Sequence, residues 1–245
     1  MMKLSKEVLA KIVDLAKSDE EKGGVILSDG SFIEIENQSQ NKYYGFVFDL
    51  SVVEKKIKAI VHTHGYSSAE PSIHDILSCV KSGFPWMIVG FYGDEIKWID
   101  HTMDISHITD PLLDRPFVYG HLDCYTIVRD WYKKYGLSLN DYQRNGLFWR
   151  DVESEYNPYV EFFEQEGFFE LDDNAKIMPN DLILMSIGSK RQDCANHAGV
   201  YVGDNKIIHH IFNSLSRYDI YTHGSPWHLR TIMRLRHKEY KSFIC

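Results

Sequence analysis

Residues 101–118 separate two segments of the chain that each carry their own pattern of helices and strands. This stretch, HTMDISHITDPLLDRPFV, follows neither the helical nor the strand period and contains two prolines, which is typical of a linker. A chain of 245 residues is long enough for one large domain or two small ones. The sequence therefore predicts two domains, residues 1–105 and 115–245, each with a hydrophobic core of its own.

The first segment has the pattern of a helix-and-strand sandwich. Its opening residues carry apolar side chains at helical spacing, and Gly23-Gly24 is expected to end that helix. A second helix is expected over 72–82, where apolar residues recur on one face. The other apolar or alternating runs predict strands at 24–27, 31–37, 44–50, 57–61, 85–92 and 94–100.

The second segment has its helices first and its strands after them. One helix is predicted from Cys124 to Tyr135, with Gly136 ending it, and another over 157–165. An antiparallel meander is predicted from strands at 181–187, 197–203, 206–212 and 231–237. Helices followed by an antiparallel sheet are typical of an α+β domain, so the fold class predicted for the chain is α+β.

Charge and composition exclude some classes of function. The formal charge is -8, which argues against nucleic-acid phosphates as the main partner. The N-terminal sequence carries charges throughout and holds no apolar signal-peptide core, and no stretch has the ~18 uncharged apolar residues of a membrane span. We therefore expect synthesis in a reducing cytoplasm. Four scattered cysteines are then expected to be free thiols, Cys79, Cys124, Cys194 and Cys245.

Two histidines and an acidic residue follow the apolar strand around 57–61 at the spacing of a metal site. His62 and His64 stand two apart on that strand and therefore point to the same face. Asp75, near the start of the next predicted helix, can supply a third ligand. Two histidines and one carboxylate leave a fourth position for water, which is the arrangement of a catalytic zinc site, and zinc lowers the pKa of such a water.

Glu21 and Ser72 are the candidates for the remaining roles at this site. Glu21 precedes the Gly23-Gly24 turn and is the predicted general base, with Glu20 as the alternative. Ser72 is predicted to donate a hydrogen bond to the developing oxyanion. In the competing interpretation the two histidines are ordinary loop residues, and Ser72 and Asp75 only cap the helix. Two nearby polar residues are expected to be solvated surface positions, His74 and Glu70.

The whole string, H-x-H-x7-S-x2-D, resembles the motif of the JAMM (MPN) metallo-isopeptidases at each of its four positions. The resemblance implies that the first domain is a JAMM/MPN-like, cytidine-deaminase-like α/β sandwich that hydrolyses an amide or isopeptide bond. It also implies zinc on His62, His64 and Asp75, with Glu21 as base and Ser72 as oxyanion stabiliser. Two positions depart from the family pattern, since Gly23 replaces a common cysteine and Gly65 a frequent proline.

Cys124 has the position of an activated nucleophile in the second segment. It lies in the first turn of a predicted helix, with Asp123 as the expected N-cap. Backbone N–H groups and the helix dipole stabilise a thiolate there, so we expect its pKa to lie below the ~8.5 of a free thiol. His197 opens one predicted strand and His209 lies in the next, where antiparallel pairing can join them as base and orienting residue. The competing interpretations are a buried inert thiol, His121 or His210 in place of His209, and a metal or redox pair of Cys194 with His197.

This segment resembles the NlpC/P60 cysteine peptidases over most of residues 115–212. The matching residues are Tyr119-Gly120, Asp123-Cys124, Asp181-Leu182, His197-Ala198-Gly199-Val200-Tyr201, Gly203 and His209. The resemblance implies a papain-like α+β domain with Cys124 as nucleophile, His197 as base and His209 as third polar residue. Tyr125-Thr126 replaces the usual Ser-Gly, and Phe117 stands where a tyrosine is frequent.

A JAMM-like domain followed by an NlpC/P60-like domain is similar to a family of tail-assembly proteins of lambda-like tailed phages. That resemblance implies a tail-tip assembly protein with peptidase activity, present in the host cytoplasm during assembly and, in one interpretation, at the virion tail tip. It implies zinc as cofactor, peptidoglycan stem peptides as substrate of the cysteine half, and other tail-tip proteins as partners. Two alternatives remain, an assembly protein with vestigial sites and a cellular cell-wall remodelling endopeptidase.

Overall fold

The structure of the chain, a computed structural model, describes residues 4–39, 41–43, 45–142, 144, 153, 156–191 and 194–239. The chain divides into two units, Met1–Ile105 and Ser106–Cys245, which are described here one at a time. Over the described residues the content is mixed α and β. None of the helices in this part of the chain is long and apolar enough to cross a membrane.

A five-stranded mixed sheet with two main helices forms the first unit. Its elements in chain order are α1 (Lys6–Leu15), β1 (Gly23–Leu27), β2 (Phe32–Ile35), β3 (Ile57–Thr63), α2 (Ile73–Ser82), β4 (Trp86–Gly90) and β5 (Glu95–Ile99). The strands lie in the order β2-β1-β3-β4-β5. β3 and β4 are parallel and are joined through α2, whereas the other neighbours pair antiparallel.

The two helices cover opposite faces of this sheet, because alternate residues of β3 point to alternate faces. Val61 belongs to the apolar cluster that contains Ile12 of α1. Ile60 belongs to the cluster that contains Cys79 of α2. His62 has the same parity as Ile60, so its side chain lies on the α2 face. The strand pattern therefore decides which helix the histidine meets.

The first helix ends earlier than the sequence predicts. α1 stops at Leu15, with Ala16 as its C-cap. Gly23 and Gly24 are instead the first two residues of β1, and both are buried. A Cβ on Gly24 would lie 2.1 Å from the carbonyl oxygen of Ile33. The glycines are thus required by close strand packing, and the expectation that they end the helix is wrong.

The alternating run 44–50 does not form the strand predicted for it, over those of its residues that the structure describes. The amide of Val47 donates to the side-chain oxygen of Asn37 at 3.1 Å rather than to a neighbouring strand. The apolar alternation has another cause. The rings of Phe46 and Phe48 stack at 4.9 Å between centroids, and Phe46 is buried. Alternate side chains of this loop point into the core, so the loop sequence shows the two-residue period of a strand without forming one.

A six-stranded antiparallel sheet with helices before it forms the second unit. Its elements are α3 (Ser106–Thr109), α4 (Cys124–Lys134), α5 (Pro158–Phe162), β6 (Phe168–Glu170), β7 (Leu182–Met185), β8 (His197–Gly203), β9 (Lys206–His209), β10 (Arg217–Ile220) and β11 (Thr231–His237). The strand order is β10-β9-β8-β7-β11-β6. α4 packs on the sheet through Ile127 and Val128, which share an apolar cluster with Ala198 and Val200 of β8.

The predicted bounds of β8 and β11 are confirmed, whereas two short strands were not predicted. β6 has three residues and β10 has four, which is too short for an alternation to stand out. β9 ends at His209 instead of residue 212. Beyond it the chain turns, since the amide of Ser214 donates to the carbonyl of Ile211 at 3.1 Å.

The second half of the predicted linker packs as part of the second unit. The amide of Arg115 donates to the hydroxyl of Ser216 at 2.9 Å. Its guanidinium pairs with Asp130 of α4 at 2.6 Å and is almost fully buried. The amide of Asp114 also donates to the carbonyl of Ser216 at 2.9 Å. This stretch thus lacks a periodic pattern because it is an ordered loop held by side chains.

Candidate functional site

Four predicted residues of the first unit lie together at the end of β3. In the pairing of β1 with β3, Gly23 lies opposite His62. Glu21 comes two residues before Gly23, just outside β1, and this places it near the ring of His62. The Glu21 carboxylate lies 3.3 Å from Nε2 of His62. Asp75 of α2 lies 3.7 Å from Nδ1 of His62 and 3.3 Å from Nε2 of His64. The structure thus brings together two histidines and two carboxylates.

Gly23 is the position that lets β1 lie this close to the histidine strand. A Cβ at Gly23 would stand 2.2 Å from the carbonyl oxygen of Val61 and 2.6 Å from the ring of Phe46. Neither neighbour is free to move, because one is strand backbone and the other is a buried ring. Any side chain here would push away the segment that carries Glu21.

Ser72 and Asp75 form a reciprocal cap at the start of α2. The Ser72 hydroxyl donates to the Asp75 carboxylate at 2.7 Å, and the amide of Ser72 donates to the same oxygen at 2.8 Å. The amide of Asp75 donates back to the Ser72 hydroxyl at 3.2 Å. This is a capping box, so the competing interpretation of these two residues as helix caps is present in the structure. The cap also holds the carboxylate against the histidines.

The Asp75 carboxyl is held in its charged form. Burial raises its pKa, but the hydrogen bond from His64, the charge of His62 and the bond from Ser72 act in the opposite direction and outweigh it. The pKa of Asp75 therefore lies well below its ordinary value. The pKa of His64 is raised, because the bonds to Asp75 and to the carbonyl of Ser68 exceed the effect of burial.

The donor atoms at this site fit a zinc ion. Ligand atoms of Glu21, His62 and His64 all lie within 4.8 Å of one another. Both ring nitrogens of His62 are buried and make no hydrogen bond within the described part of the chain. Nδ1 of His64 lies 2.9 Å from the carbonyl of Ser68, so in the neutral ring it carries the proton and leaves Nε2 as an acceptor. Nitrogen and carboxylate donors in this number suit zinc.

The remaining polar candidates of the first unit lie outside this group. The other candidate base, Glu20, is not part of the cluster of ligand atoms found among the described residues. Glu70 forms an ion pair with Lys97. His74 is exposed on α2 and lies 3.4 Å from the hydroxyl of Ser78. The surface positions predicted for Glu70 and His74 agree with the structure.

In the second unit, Cys124 is the first residue of α4, as predicted. Asp123 is the N-cap, and its carboxylate accepts from the amide of Thr126 at 3.0 Å. The thiol sulfur lies 3.1 Å from the hydroxyl of Tyr159, which comes from α5. The backbone amide of Ala198, the residue after His197, is close enough to lower the pKa of this thiol. The nucleophile candidate and the start of β8 are therefore neighbours.

The expectation of a lowered thiol pKa is wrong for this environment. The pKa of Cys124 is raised to about 11, first by burial and then by the nearby Asp123 carboxylate. The bond to Tyr159, the amide of Ala198 and the charge of Arg144 lower it by less. The helix start that favours a thiolate in water is here surrounded by buried groups, so desolvation outweighs the helix dipole.

His197, His209 and Asp219 form a continuous hydrogen-bonded series. Nε2 of His197 lies 3.0 Å from Nδ1 of His209, and Nε2 of His209 lies 3.0 Å from the carboxylate of Asp219. The indole N–H of Trp227 donates to the same carboxylate oxygen at 3.1 Å. Among the described residues no hydrogen bond joins the ring of His197 to Cys124, so the series ends beside the thiol rather than on it.

Both histidines of this series are held neutral. Burial lowers the pKa of His197 well below its ordinary value, and the nearby rings of His209 and His210 lower it further. The pKa of His209 is also lowered by burial, although Asp219 opposes this. At neutral pH a base of this kind is ready to accept a proton.

The other histidines and cysteines considered for this site make different contacts or lie outside the described residues. The ring of His210 is buried, and its Nε2 lies 3.1 Å from the carbonyl of Ser214. His209, rather than His121, is the histidine whose ring lies 3.0 Å from Nε2 of His197. Cys194 is a buried free thiol that lies 3.5 Å from the side-chain amide of Asn157. Cys245 lies outside the described residues.

The sequence model of the NlpC/P60 family matches residues 114–236, which contain the thiol and the whole histidine series. The chain belongs to the NlpC/P60 family. It is also homologous to tail tip assembly protein K. The protein of that name from Escherichia phage N15 is 31% identical over 184 residues, covering 75% of this chain and 70% of the relative. That of Escherichia phage lambda is 30% identical over 191 residues, covering 78% and 86%.

Solved structures of the same family share less sequence with the chain. NlpC2 from Trichomonas vaginalis is 17% identical, with a TM-score of 0.37 over 58% of this chain and 55% of its own. NlpC1 from the same organism is 14% identical, with a TM-score of 0.37 over 89% of this chain and 69% of its own.

Two polar residues of the NlpC/P60 region were not predicted from the sequence. Tyr159 lies in a predicted helix, but its contact with Cys124 joins residues 35 apart in the chain. Asp219 lies on the unpredicted strand β10, whose Cα pairing sets Arg217 opposite His209. Asp219 is two residues further along and shares that face. A prediction of β10 would have been enough to find Asp219, whereas no local signal points to Tyr159.

Proposed function

We propose that this chain is a phage tail-tip assembly protein whose NlpC/P60 unit hydrolyses amide bonds of peptidoglycan stem peptides. The observation that carries the proposal is the series His197–His209–Asp219, since the backbone amide of Ala198, next to His197, is close enough to lower the pKa of the Cys124 thiol. A thiol, a neutral imidazole and an orienting group are the parts of a cysteine peptidase. Both homologues are tail tip assembly proteins of phages, which supports phage tail assembly over cellular wall remodelling.

The raised thiol pKa determines the order of events in this proposal. Because burial favours the neutral thiol and the neutral imidazole, the two groups are uncharged before substrate binds. His197 then takes the proton as the sulfur attacks the carbonyl carbon. The C–N bond breaks, and His197 returns the proton to the leaving amine. Water, activated by the same imidazole, hydrolyses the thioester and releases the free thiol.

Hydrolysis of purified muropeptides by the full chain tests this proposal. We expect the wild type to cleave and Cys124→Ala to lose cleavage, with Cys245→Ser as the matched cysteine control that keeps it. The released amine identifies the bond that is cut. A folded wild type that cleaves no stem peptide, or a Cys124→Ala variant as active as the wild type, contradicts the proposal. If the folded wild type is inactive, the alternative of an assembly protein with vestigial sites is favoured.

For the first unit we propose a zinc-dependent, JAMM-type hydrolase of an amide or isopeptide bond. Support comes from the two buried, unbonded nitrogens of His62 and from the donor atoms grouped around them. His62, His64 and Asp75 are the proposed ligands, since Asp75 contacts both histidines, although the group of donor atoms within 4.8 Å of one another contains Glu21 instead of Asp75. Glu21 lies close enough to share in ligation or to accept a proton from a bound water. A bound zinc ion supplies Lewis acidity and lowers the pKa of its water.

The ligands of the first unit are tested by metal content. Full-length protein expressed with zinc and desalted should hold about one ion per chain. His62→Ala should reduce this to a small fraction, and His74→Ala, on the exposed side of α2, should not. Glu21→Gln separates two roles, because a residue that acts only on water leaves the zinc content unchanged. Full zinc occupancy in a His62→Ala/His64→Ala double variant would contradict the site.

A further inference from the structure

The Asp219 carboxylate accepts hydrogen bonds from three donor groups at the far end of the histidine series. Nε2 of His209 lies 3.0 Å from its Oδ2, and the indole N–H of Trp227 donates to the same oxygen at 3.1 Å. Nε of Arg217 donates to both carboxylate oxygens at 3.2 Å. The carboxylate is therefore fixed in position and orientation by groups of the same unit.

The positions of the protons along the series follow from the bonding capacity of each atom. A carboxylate only accepts hydrogen bonds, so Nε2 of His209 must carry the proton. In a neutral imidazole the other nitrogen is then an acceptor, and Nδ1 of His209 accepts from Nε2 of His197. His197 thereby carries its proton on Nε2. Its Nδ1 is left with a free lone pair.

We propose that Asp219 is a positioning residue that fixes the tautomer of His197 through His209, so that Nδ1 of His197 is the atom that accepts the proton of Cys124. The inference rests on the proposed cysteine peptidase function and deepens it by naming the residue that sets the base. Without Asp219 the two rings can shift both protons to their Nδ1 atoms. His197 would then present a proton to the thiol instead of a lone pair.

The surroundings of the two rings make Asp219 decisive for the tautomer. His209 is fully buried and His197 is 5% exposed, so water has little access to set the proton positions. The ring of Trp227 lies edge to face with His209 at 4.7 Å and tilted over His197 at 6.3 Å. The imidazolium that forms on His197 during attack can also share its charge through His209 with the carboxylate.

The tautomers can be read directly by ¹⁵N NMR of the full-length protein with labelled histidine at neutral pH. Signals of the two rings are assigned with His197→Gln and His209→Gln. We expect both rings of the wild type to be protonated on Nε2 and unprotonated on Nδ1. In Asp219→Ala we expect a mixture of tautomers in both rings, with Asp204→Asn, an exposed turn position, unchanged.

Stem-peptide cleavage by the same variants supplies the second measurement. We expect Asp219→Ala to lower kcat by about 10²-fold or more with little change in KM, as for a base in the wrong tautomer. Trp227→Phe, which removes one donor but keeps an aromatic ring, should have a smaller effect. A wild-type His209 protonated on Nδ1, or unchanged tautomers in Asp219→Ala, overturns the inference. Correct tautomers in a wild type that cleaves nothing would leave it standing and refute only the peptidase proposal.

Discussion

The hydroxyl of Tyr159 lies 3.1 Å from the sulfur of Cys124. Burial raises the pKa of this phenol well above its ordinary value, and the proximity of Cys124 raises it further. The hydroxyl therefore stays protonated and can donate to a thiolate. In the sequence, Phe117 stands where the NlpC/P60 peptidases often have a tyrosine. Tyr159 brings a tyrosine hydroxyl to the thiol from a different helix.

Replacing Tyr159 with Phe is expected to make the thiol less reactive. Loss of a hydrogen bond to a charged group costs about 1.5–3 kcal/mol, which corresponds to a reduction in the thiolate fraction of about tenfold or more at a fixed pH. The measurement is the rate of Cys124 alkylation against pH in a Cys245→Ser background. Tyr125→Phe is the matched control, since that hydroxyl donates to the carbonyl of Asn140 instead. Equal rates in Tyr159→Phe and the parent would show that the contact has no effect on the thiolate.

The buried neutral histidines of the second unit should make the protein less stable in acid. His197 and His209 have pKa values lowered by burial, whereas in the unfolded chain each takes up a proton near pH ~6.5. The unfolded state then binds more protons below that pH, so the free energy of unfolding falls as the pH falls. Each such histidine contributes a loss of at most about 1.4 kcal/mol at one pH unit below 6.5.

Urea unfolding of the full chain at pH 7.5 and pH 5.5 measures this dependence. His209→Gln should be less stable at both values but should show a smaller difference between them than the wild type. His223→Gln, at an exposed position, serves as the control and should keep the wild-type difference. An unchanged pH difference in His209→Gln would mean that this ring does not stay neutral in the folded state.

Arg115 is expected to be a major stabilising residue of the second unit. Its guanidinium is 2% exposed and pairs with Asp130, which is itself partly accessible. Arg115→Met removes the cation and leaves the carboxylate without its partner, which we expect to cost about 3 kcal/mol of unfolding free energy. Arg129→Met tests a comparable pair with Asp141 at the surface and should cost less than about 1 kcal/mol. Equal losses in urea unfolding would contradict the buried role of Arg115.

Gly23 should be more sensitive to substitution than other glycines of the first unit. Gly23→Ala sets a methyl group against the Val61 carbonyl, so we expect a loss of stability above about 2 kcal/mol. We also expect a lower zinc content, because Gly23 pairs with His62, a proposed ligand, across β1 and β3. Gly30→Ala is the control. Gly30 has a positive φ but open space around it, so only backbone strain of about 1 kcal/mol is expected. Similar stability and zinc content in both variants would show that the close approach at Gly23 is not needed.

Regular elements with a clear period could be predicted from the sequence alone. The helix over 72–82 corresponds to α2, and the strands at 197–203 and 231–237 correspond to β8 and β11. Local spacing also predicted that His62 and His64 lie together, and both contact Asp75 although β3 ends at Thr63. It predicted as well that Cys124 opens a helix. These features depend on residues close together in the chain, whose side-chain directions follow from the helix and strand periods themselves.

Other features were decided by contacts between distant residues. In residues 44–50, apolar and polar side chains alternate as in a strand. The described residues of this run pair with no strand, because the amide of Val47 donates to the side chain of Asn37. β10 is a strand only because β9 pairs with it, and that pairing delivers Asp219 to His209. Strand pairing is a property of two segments, so a short strand carries too little local information to be recognised.

The electrostatic state of the Cys124 thiol also depended on tertiary structure. From the sequence, a cysteine at a helix start predicts a lowered thiol pKa, since the dipole and amide groups are local. The folded chain leaves Cys124 only partly exposed beside Asp123 and Tyr159, and the net effect is a pKa of about 11. The sequence by itself identified Cys124, His197 and His209 as candidates and the elements that carry them, but it did not identify Tyr159 or Asp219. The tertiary structure decided how far those residues are removed from water, because desolvation is set by every neighbour in space and not by position along the chain.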